Sequence, residues 1–521
     1  MLSEIEIMRC DRGMKGKQMR VWSVGVVVLL FAHCGSVSFA QRQQRPNVVV
    51  IYTDDQGYGD ASCLNEDAKF QTPNIDRLAR EGMTFADGHC SDTVCTPSRY
   101  GLLTGRYSWR TELKRGVFGA ERECLIEDGR MTLASMLHDN GYATAMVGKW
   151  HLGMDFPGTD AKNRDWSQPV RDMPLDKGFD YFWGIPASMN YGVLAWFDGR
   201  HAAVPPTLFT RKKPNAIAIS DYRIMPPYED TAVRPNDLET APDFVDSECL
   251  TRFTDKAINW VQGKAEAARG GKPFFLYLPY TSPHKPVIPI DRFQGKSAAG
   301  AYGDFMLETD WHIGRLLQLL DDERLTDNTL VFFSSDNGPE TTFAERIKRF
   351  AHHSAGPYRE GKRSIYEGGH RVPFIVRWPS HIKPGSRCDV TVCQTDLLAT
   401  LAEINETELP VNAGEDSISF LPSLLGQVHE RPAVIHHAAN GRFAVRDGQW
   451  KLVMQWKNQP QELYELDIDP TESNDARMSH RDLAARLQRT ITDIVRNGRS
   501  SPGAAQKNDV DWWADLAWLK P

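Results

Sequence analysis

Four short runs in this chain are apolar almost from end to end and then stop at polar or charged side chains. Asn47-Val48-Val49-Val50-Ile51-Tyr52 leads to Thr53-Asp54-Asp55, and Ala143-Thr144-Ala145-Met146-Val147 leads to Gly148-Lys149-Trp150-His151. Phe274-Phe275-Leu276-Tyr277-Leu278 leads to Ser282-Pro283-His284, and Thr329-Leu330-Val331-Phe332-Phe333 leads to Ser334-Ser335-Asp336-Asn337-Gly338. A strand with one wet face alternates apolar and polar residues. A strand covered on both faces stays apolar, as in a parallel sheet between two helical layers. Helical patterns fall between the runs, as that arrangement requires. Thr72-Pro73 supplies an N-cap and first turn, Ile75, Leu78 and Ala79 share a face, and Gly82 ends the element. A longer helix over residues 304–320 carries Met306, Ile313, Leu316, Leu317 and Leu320 on one stripe. The expected fold is therefore α/β, a large, mainly parallel sheet sandwiched by helices. In such sheets ligands bind beyond the carboxyl ends of the strands, where these polar clusters sit.

The chain has 521 residues, more than the roughly 250–300 that one core usually serves. Residues 155–250 are rich in proline and charge without a sustained period, and are expected as long loops and insertions. Beyond Leu421 the pattern becomes short and alternating. Arg442-Phe443-Ala444-Val445-Arg446 and Trp450-Lys451-Leu452-Val453-Met454, separated by Asp447-Gly448, read as a hairpin. Residues 425–521 are expected to form a smaller C-terminal α+β subdomain with an antiparallel sheet and a helix over residues 481–496, after a main domain of residues 41–424.

Arg9, Arg12, Lys15, Lys17 and Arg20 precede an apolar stretch over residues 21–32, too short to span a bilayer, and Ser38-Phe39-Ala40 offers a small-x-small cleavage pattern. Residues 1–40 therefore read as a signal peptide, and the mature protein as exported to the periplasm or beyond the cell, without a transmembrane anchor. A formal net charge of −7 argues against nucleic acid as a partner. Losing Cys10 and Cys34 with the leader leaves seven of nine cysteines, an odd number in a compartment that permits disulfides. Cys95 is the candidate for a separate use, and Cys388 with Cys393 for a hairpin clip.

Asp54 with Asp55, and Asp336 with Asn337, offer only oxygen ligands, which suits calcium or magnesium rather than zinc. Either pair alone reads equally well as turn or capping acids; two such pairs at equivalent strand ends point to a shared site. Arg99, Lys149, His151, His284 and Lys362 lie on the same inferred rim. Cations gathered beside a divalent ion would bind a tetrahedral oxyanion and stabilise charge developing on it.

Cys95-Thr96-Pro97-Ser98-Arg99, followed by Tyr100-Gly101-Leu102-Leu103-Thr104-Gly105-Arg106, resembles the modification motif of the type I, formylglycine-dependent sulfatases of the alkaline phosphatase superfamily. The opening from Arg45-Pro46-Asn47 through Asp54-Asp55-Gln56-Gly57, the Gly148-Lys149-Trp150-His151 block, and Gly361-Lys362 with Tyr366-Glu367-Gly368-Gly369 are similar to further family blocks. The resemblance spans nearly the whole mature chain. It implies an alkaline-phosphatase-like catalytic domain and hydrolysis of sulfate monoesters, with sulfated carbohydrates as natural partners and aryl sulfates as reporters. It also implies that a maturation enzyme oxidises Cys95 to formylglycine, whose hydrate carries two hydroxyls: one attacks sulfur, and loss of a proton from the other expels sulfate.

Carried over residue by residue, the resemblance makes Asp54, Asp55, Asp336 and Asn337 ligands of one calcium ion. Arg99 and Lys149 orient the modified residue, and His151 acts as the base that triggers sulfate release. His284 and Lys362 grip the sulfate, with His284 as proton donor to the leaving alcohol. Ser188 corresponds to a position lining the sulfate site, although Met189-Asn190 beside it departs from the family's commoner His-Asp. Pro97-Ser98-Arg99 reads as a helical first turn whose dipole favours an anion. The competing expectations are a phosphonate monoester or phosphodiester hydrolase of the same superfamily, and an inactive homologue that binds sulfated glycans.

Overall fold

The apolar runs do pair side by side. The computed structural model describes residues 44–160, 163–210, 237–510 and 516–519. Its largest sheet has ten strands, and its middle is the strand Asn47–Asp54, flanked in parallel by Thr329–Ser335 on one side and Phe274–Pro283 on the other. Ala143–Lys149 and Tyr181–Ile185 continue the parallel set beyond Phe274–Pro283. Antiparallel strands flank the parallel set: Phe374–Arg377 and then Met83–Phe85 beyond Thr329–Ser335, with Ser386–Cys388 parallel to Met83–Phe85 at that edge, and Phe197–Asp198 and His201–Ala202 beyond Tyr181–Ile185. Every residue of Asn47–Asp54, Phe274–Pro283 and Thr329–Ser335 is buried, as continuous apolarity requires of strands covered on both faces. The expected parallel α/β sandwich is thus the observed one.

The helix Pro73–Glu81 forms as expected and stops at Gly82, but its cap differs. The Thr72 hydroxyl bonds Ser62 and Asp76, and the free amides of the first turn are taken by Asp310 Oδ1, which accepts from Asn74 N at 3.0 Å and Ile75 N at 2.9 Å. A carboxylate from a neighbouring helix thereby does what a local side chain was expected to do. The long helix runs Gly300–Asp322, wider than its apolar stripe suggested, and Cys249–Arg269 forms a further helix that packs beside it.

The region 155–250 is more ordered than its composition suggested. It supplies three strands of the main sheet and a small sheet of Val193–Leu194, Leu238–Thr240 and Leu208–Thr210. The signal-peptide reading falls on residues outside those described, as does residues 211–236 of this region. No helix among the described residues is long and apolar enough to cross a membrane. The later chain forms a four-stranded antiparallel sheet of Val434–His437, Phe443–Asp447, Trp450–Val453 and Glu462–Glu465, with Arg481–Arg496 packed on it. Its core also takes Tyr107, Trp109 and Cys393 from earlier in the chain. The Cys388–Cys393 clip does not form: Ser386–Cys388 pairs with Met83–Phe85, Val392–Cys393 with Gly88–His89, and both thiols are free.

Glu308 sits within the Gly300–Asp322 helix without exposure. Its Oε2 accepts the Ile290 N–H at 2.9 Å, while Oε1 has no hydrogen-bond partner and His312 Nε2 stands 3.6 Å away. Burial pushes this carboxyl up to about 8, against the small pull of the Ile290 amide. Between the ordinary glutamate value of about 4.3 and that raised value, the native chain holds a proton that the unfolded chain has lost. This group therefore removes stability as pH rises through that window, up to about 1.4 kcal/mol per pH unit. Glu308→Gln is expected to match the wild type near pH 4 and to exceed it by up to about 4–5 kcal/mol at pH 8, read from urea denaturation midpoints across the window. A gap that stays constant with pH would contradict the assignment.

Candidate active site

Register brings the acidic pairs together. Thr53 lies opposite Ser335, so the residues that follow each, Asp54-Asp55 and Asp336-Asn337, leave the sheet side by side at the same height. Phe274–Pro283 shifts register against the central strand, setting Asp54 opposite Pro283 and delivering His284 to the same edge. Lys149 ends its own strand, level with Ile185 of the next. Asp55 and His151 leave their strands in the left-handed region, φ 68° and 62°, where non-glycine residues are strained by about 1–3 kcal/mol and persist only when surroundings impose it. Cys95 arrives from another direction, as the first residue of the buried helix Cys95–Thr104. The helix thus begins two residues before the expected Pro97, which puts the sulfur itself at the positive end of the helix dipole.

These side chains form one contact network. Cys95 Sγ lies 3.4 Å from Asp54 Oδ1 and 3.4 Å from Lys362 Nζ. Lys362 also donates to Asp55, and Lys149 donates to Asp54. Arg99 turns Nε and Nη2 onto Asp336 Oδ2, at 3.1 and 2.7 Å, and Nη1 onto the Lys149 carbonyl at 3.1 Å. Asn337 Nδ2 donates to Asp55 Oδ1 at 2.7 Å. The His284 ring places Nε2 3.8 Å from Asp55 Oδ2 while Nδ1–H donates to the Lys285 carbonyl at 2.5 Å. Three carboxylates thus face three cations with almost no solvent contact, and such buried charges are tolerated only when paired.

The electrostatics follow from that crowding. Burial alone would raise the Asp54 carboxyl, but Lys149, His284 and Arg99 hold it below the usual range. Asp336 is raised by burial and by Asp54. Burial pulls the Lys362 ammonium down, yet Asp55, then Cys95 and Asp54, drive it well above the lysine range. Burial, Lys149 and Arg99 keep His151 neutral. Its Nε2–H donates to the Phe118 carbonyl at 3.0 Å, its ring packs on Tyr191, and Nδ1 is buried without a partner. Burial also lowers His284, against the upward pull of Asp54 and Asp55. Burial pushes the Cys95 thiol well above its ordinary range despite Lys149 and Lys362.

The donor set fits a hard divalent cation. Asp55 Oδ2 and Asn337 Oδ1 are buried oxygens with no hydrogen-bond partner, and ligand atoms of Asp54, Asp55, Cys95 and His284 lie within 4.8 Å of one another. Ser188 is buried with Oγ unpartnered, so no hydrogen bond joins its side chain to the network, although its carbonyl accepts the Tyr191 N–H at 3.0 Å. Sequence reasoning missed the Phe118 carbonyl and the Tyr191 ring, which fix the His151 tautomer and plane. It also missed Gln56, fully buried with both amide atoms unpartnered. A backbone carbonyl leaves no residue-type signal, whereas Gln56 stood directly after the acidic pair and could have been found.

Comparison with known proteins agrees with this geometry. The family profile described as Sulfatase matches residues 46–405, and one described as N-sulphoglucosamine sulphohydrolase, C-terminal, matches residues 360–497. The chain is 32% identical over 499 residues to an N-acetylgalactosamine-6-O-sulfatase of Bacteroides thetaiotaomicron, covering 87% of this chain and 94% of that one. It is 33% identical over 414 residues to arylsulfatase A of Bos taurus, covering 78% of this chain and 74% of that one. A structure solved in connection with the metabolism of multiple glycosaminoglycans by Bacteroides thetaiotaomicron superposes with a TM-score of 0.75 at 31% identity, covering 87% of this chain and 99% of that one. With its parallel sheet, its acid pairs in register and its cysteine at a helix start, this chain belongs to the sulfatase family and is a sulfuric ester hydrolase.

Proposed function

We propose that the chain removes sulfate from sulfated carbohydrates through a formylglycine made from Cys95, with a calcium ion held by Asp54, Asp55, Asp336 and Asn337. The observation that carries the reading is the position of Cys95, in Cys-Thr-Pro-Ser-Arg at a helix start, between the Asp54 carboxylate and the Lys362 ammonium. A thiol pushed up by burial offers almost no thiolate at neutral pH, so unmodified Cys95 is a poor nucleophile. Formylglycine supplies, in its hydrated form, one hydroxyl for attack on sulfur and a second whose deprotonation releases sulfate. The calcium ion would neutralise the three carboxylates and polarise the sulfate oxygens.

The remaining steps belong to this chain's own residues. With Asp54 and Asp55 holding the metal, the Lys149 and Lys362 ammonium groups would be free for residue 95 and for the sulfate. Arg99, anchored on Asp336, keeps residue 95 at the helix start. His151 receives a proton at Nδ1, since Nε2 is committed to Phe118. His284 delivers a proton to the leaving oxygen from Nε2; burial disfavours the charged ring, and in the loaded site the bound anionic ester favours it. The Ser188 hydroxyl, unpartnered and buried, is available to a sulfate oxygen. The carbohydrate class rests on relatives whose names specify N-acetylgalactosamine 6-sulfate. The basic, apolar and small-residue order of residues 1–40 supports export to the periplasm or beyond, and a maturation enzyme would act on Cys95.

Mass spectrometry of the Cys95 tryptic peptide, from protein exported in a competent host, is expected to find formylglycine; cysteine alone in an active preparation would refute the mechanism. The matured enzyme should turn over an aryl sulfate and 6-sulfated N-acetylgalactosamine, and Cys95→Ala should turn over neither. Hydrolysis of an aryl phosphodiester but no sulfate ester would identify the superfamily's phosphorus chemistry instead. His284→Ala is expected to lose about 10²–10⁴ in kcat on a sugar sulfate and far less on 4-nitrophenyl sulfate, whose leaving group needs no proton. Equal losses on both would remove His284 from the proton-donor role.

A further inference from the structure

A second cluster of ligand-bearing side chains lies apart from the residues assigned above. His89, on the strand Gly88–His89, His370 and Glu367, on the helix Glu367–His370, and His436, on the strand Val434–His437, are all buried, with ligand atoms within 4.8 Å of one another. Glu367 and His370 are three residues apart and so share a helix face. His89 Nδ1 lies 3.0 Å from His370 Nδ1, close to the edge of about 3.3 Å that two nitrogens make at a tetrahedral metal with bonds of about 2.05 Å.

The outward nitrogens of both rings already meet acceptors. His89 Nε2 is 2.8 Å from Asp87 Oδ1, and Asp87 also takes Arg371 at 3.2 Å and Arg446 at 3.1 Å, which keep it an anion unable to donate. His370 Nε2 is 3.1 Å from the Ile365 carbonyl. With protons on both Nε2 atoms, two bare Nδ1 lone pairs face each other, and either a metal ion or an added proton on one ring must lie between them. A carboxylate or carbonyl behind each ring is the usual outer support of a metal-bound histidine. His436 supplies an independent pointer, since both of its ring nitrogens are buried without a hydrogen-bond partner. It stacks on His370 with centroids 3.8 Å apart and must turn out of that stack to aim a nitrogen at the metal. Two cations compete for the cluster: Lys451, with Nζ 3.0 Å from Glu367 Oε1, 2.8 Å from Glu472 Oε1 and 3.1 Å from His370 Nε2, and Arg371, with Nη1 3.1 Å from Glu367 Oε2. If Lys451 takes the His370 Nε2 lone pair, the proton moves to Nδ1 and the cluster is held by hydrogen bonds alone.

We propose that His89, Glu367, His370 and His436 form a second, closed metal centre for zinc or a similar first-row divalent ion. Three imidazoles and one carboxylate suit such an ion and not calcium, and four buried protein ligands leave no open position, the pattern of a structural site. The ion would fasten the four-stranded sheet, through His436, to the segment that carries Lys362 five residues before Glu367.

The test is metal analysis of the full chain after chelator treatment, reloading with zinc and gel filtration. One zinc per chain is expected for the wild type and for Asp336→Asn, and none for His436→Ala or His89→Gln. Zinc should raise the melting temperature of the first two only. Cobalt-loaded wild type, which needs no variant to fold, should show the intense visible absorption of a tetrahedral nitrogen-rich site. Absence of bound transition metal in the wild type, zinc that survives both histidine substitutions, zinc lost in Asp336→Asn, or a weak octahedral cobalt spectrum would each overturn the proposal, leaving Lys451 as the cluster's cation.

Discussion

The parallel pairing of Asn47–Asp54 with both of its neighbours is the constraint on which the rest of the molecule depends. Side-chain direction in a strand has a period of two, so a slip of one residue would turn Asp54 into the position of Thr53 and separate the two acid pairs. What prevents the slip is burial: each of these strands is apolar on both faces and fully covered, so any other register would place Thr53, Ser334 or Ser335 against hydrocarbon without their present partners. The geometry at the strand ends therefore inherits its precision from a core that takes no part in chemistry.

At those ends the chain tolerates what the core would not. Three carboxylates, three cations, two imidazoles and two strained backbone positions occupy one water-poor volume. Each charge is compensated by a neighbour delivered from a different element: Asp336 by Arg99 from a helix, Asp54 by Lys149 from another strand, and Asp55 by Lys362 from a loop. Removing any one leaves a buried charge unpaired, at a cost of about 3–5 kcal/mol. Such a site is balanced in fixed charge, so a divalent cation alone would leave two positive charges in excess, and a singly charged sulfate ester bound beside it would cut that excess to one. The pairing that stabilises the resting site thus also favours joint binding of metal and substrate.

Much of this was legible in the residues. Continuous apolarity identified the parallel strands, and their abrupt polar ends identified Asp54, Asp55, Lys149, His284, Asp336 and Asn337, because both signals are local. The Cys95 block carried the family directly. What escaped was non-local or backbone-borne. The cap of Pro73–Glu81 comes from Asp310, more than 200 residues away, and the His151 tautomer rests on a carbonyl of Phe118. Residues 155–250 looked irregular because strands of two to five residues are too short to show a period, yet Tyr181–Ile185 is held by its parallel partner and extends the main sheet. The cysteine clip failed for a related reason: five residues of separation suggested a hairpin, while the two thiols sit on strands recruited by different sheets.

The same reasoning explains how the four-stranded sheet bears on the active edge through the segment after Lys362. Lys362 and Arg363 are tied by backbone bonds to Pro339 and Thr93, and a few residues on Glu367 turns inward to Lys451 on the four-stranded sheet. Glu472 accepts the Glu367 N–H at 2.6 Å and shares Lys451, so the loop bearing Lys362 is clamped from behind by two acids around one ammonium. Lys362 has four flexible methylenes and loses rotamer freedom on being held against Cys95 and Asp55. A loop that is already rigid adds no backbone loss to that cost. The C-terminal sheet therefore supports the segment that follows Lys362 through its buried Lys451 network, while Pro339 and Thr93 hold the Lys362 backbone itself.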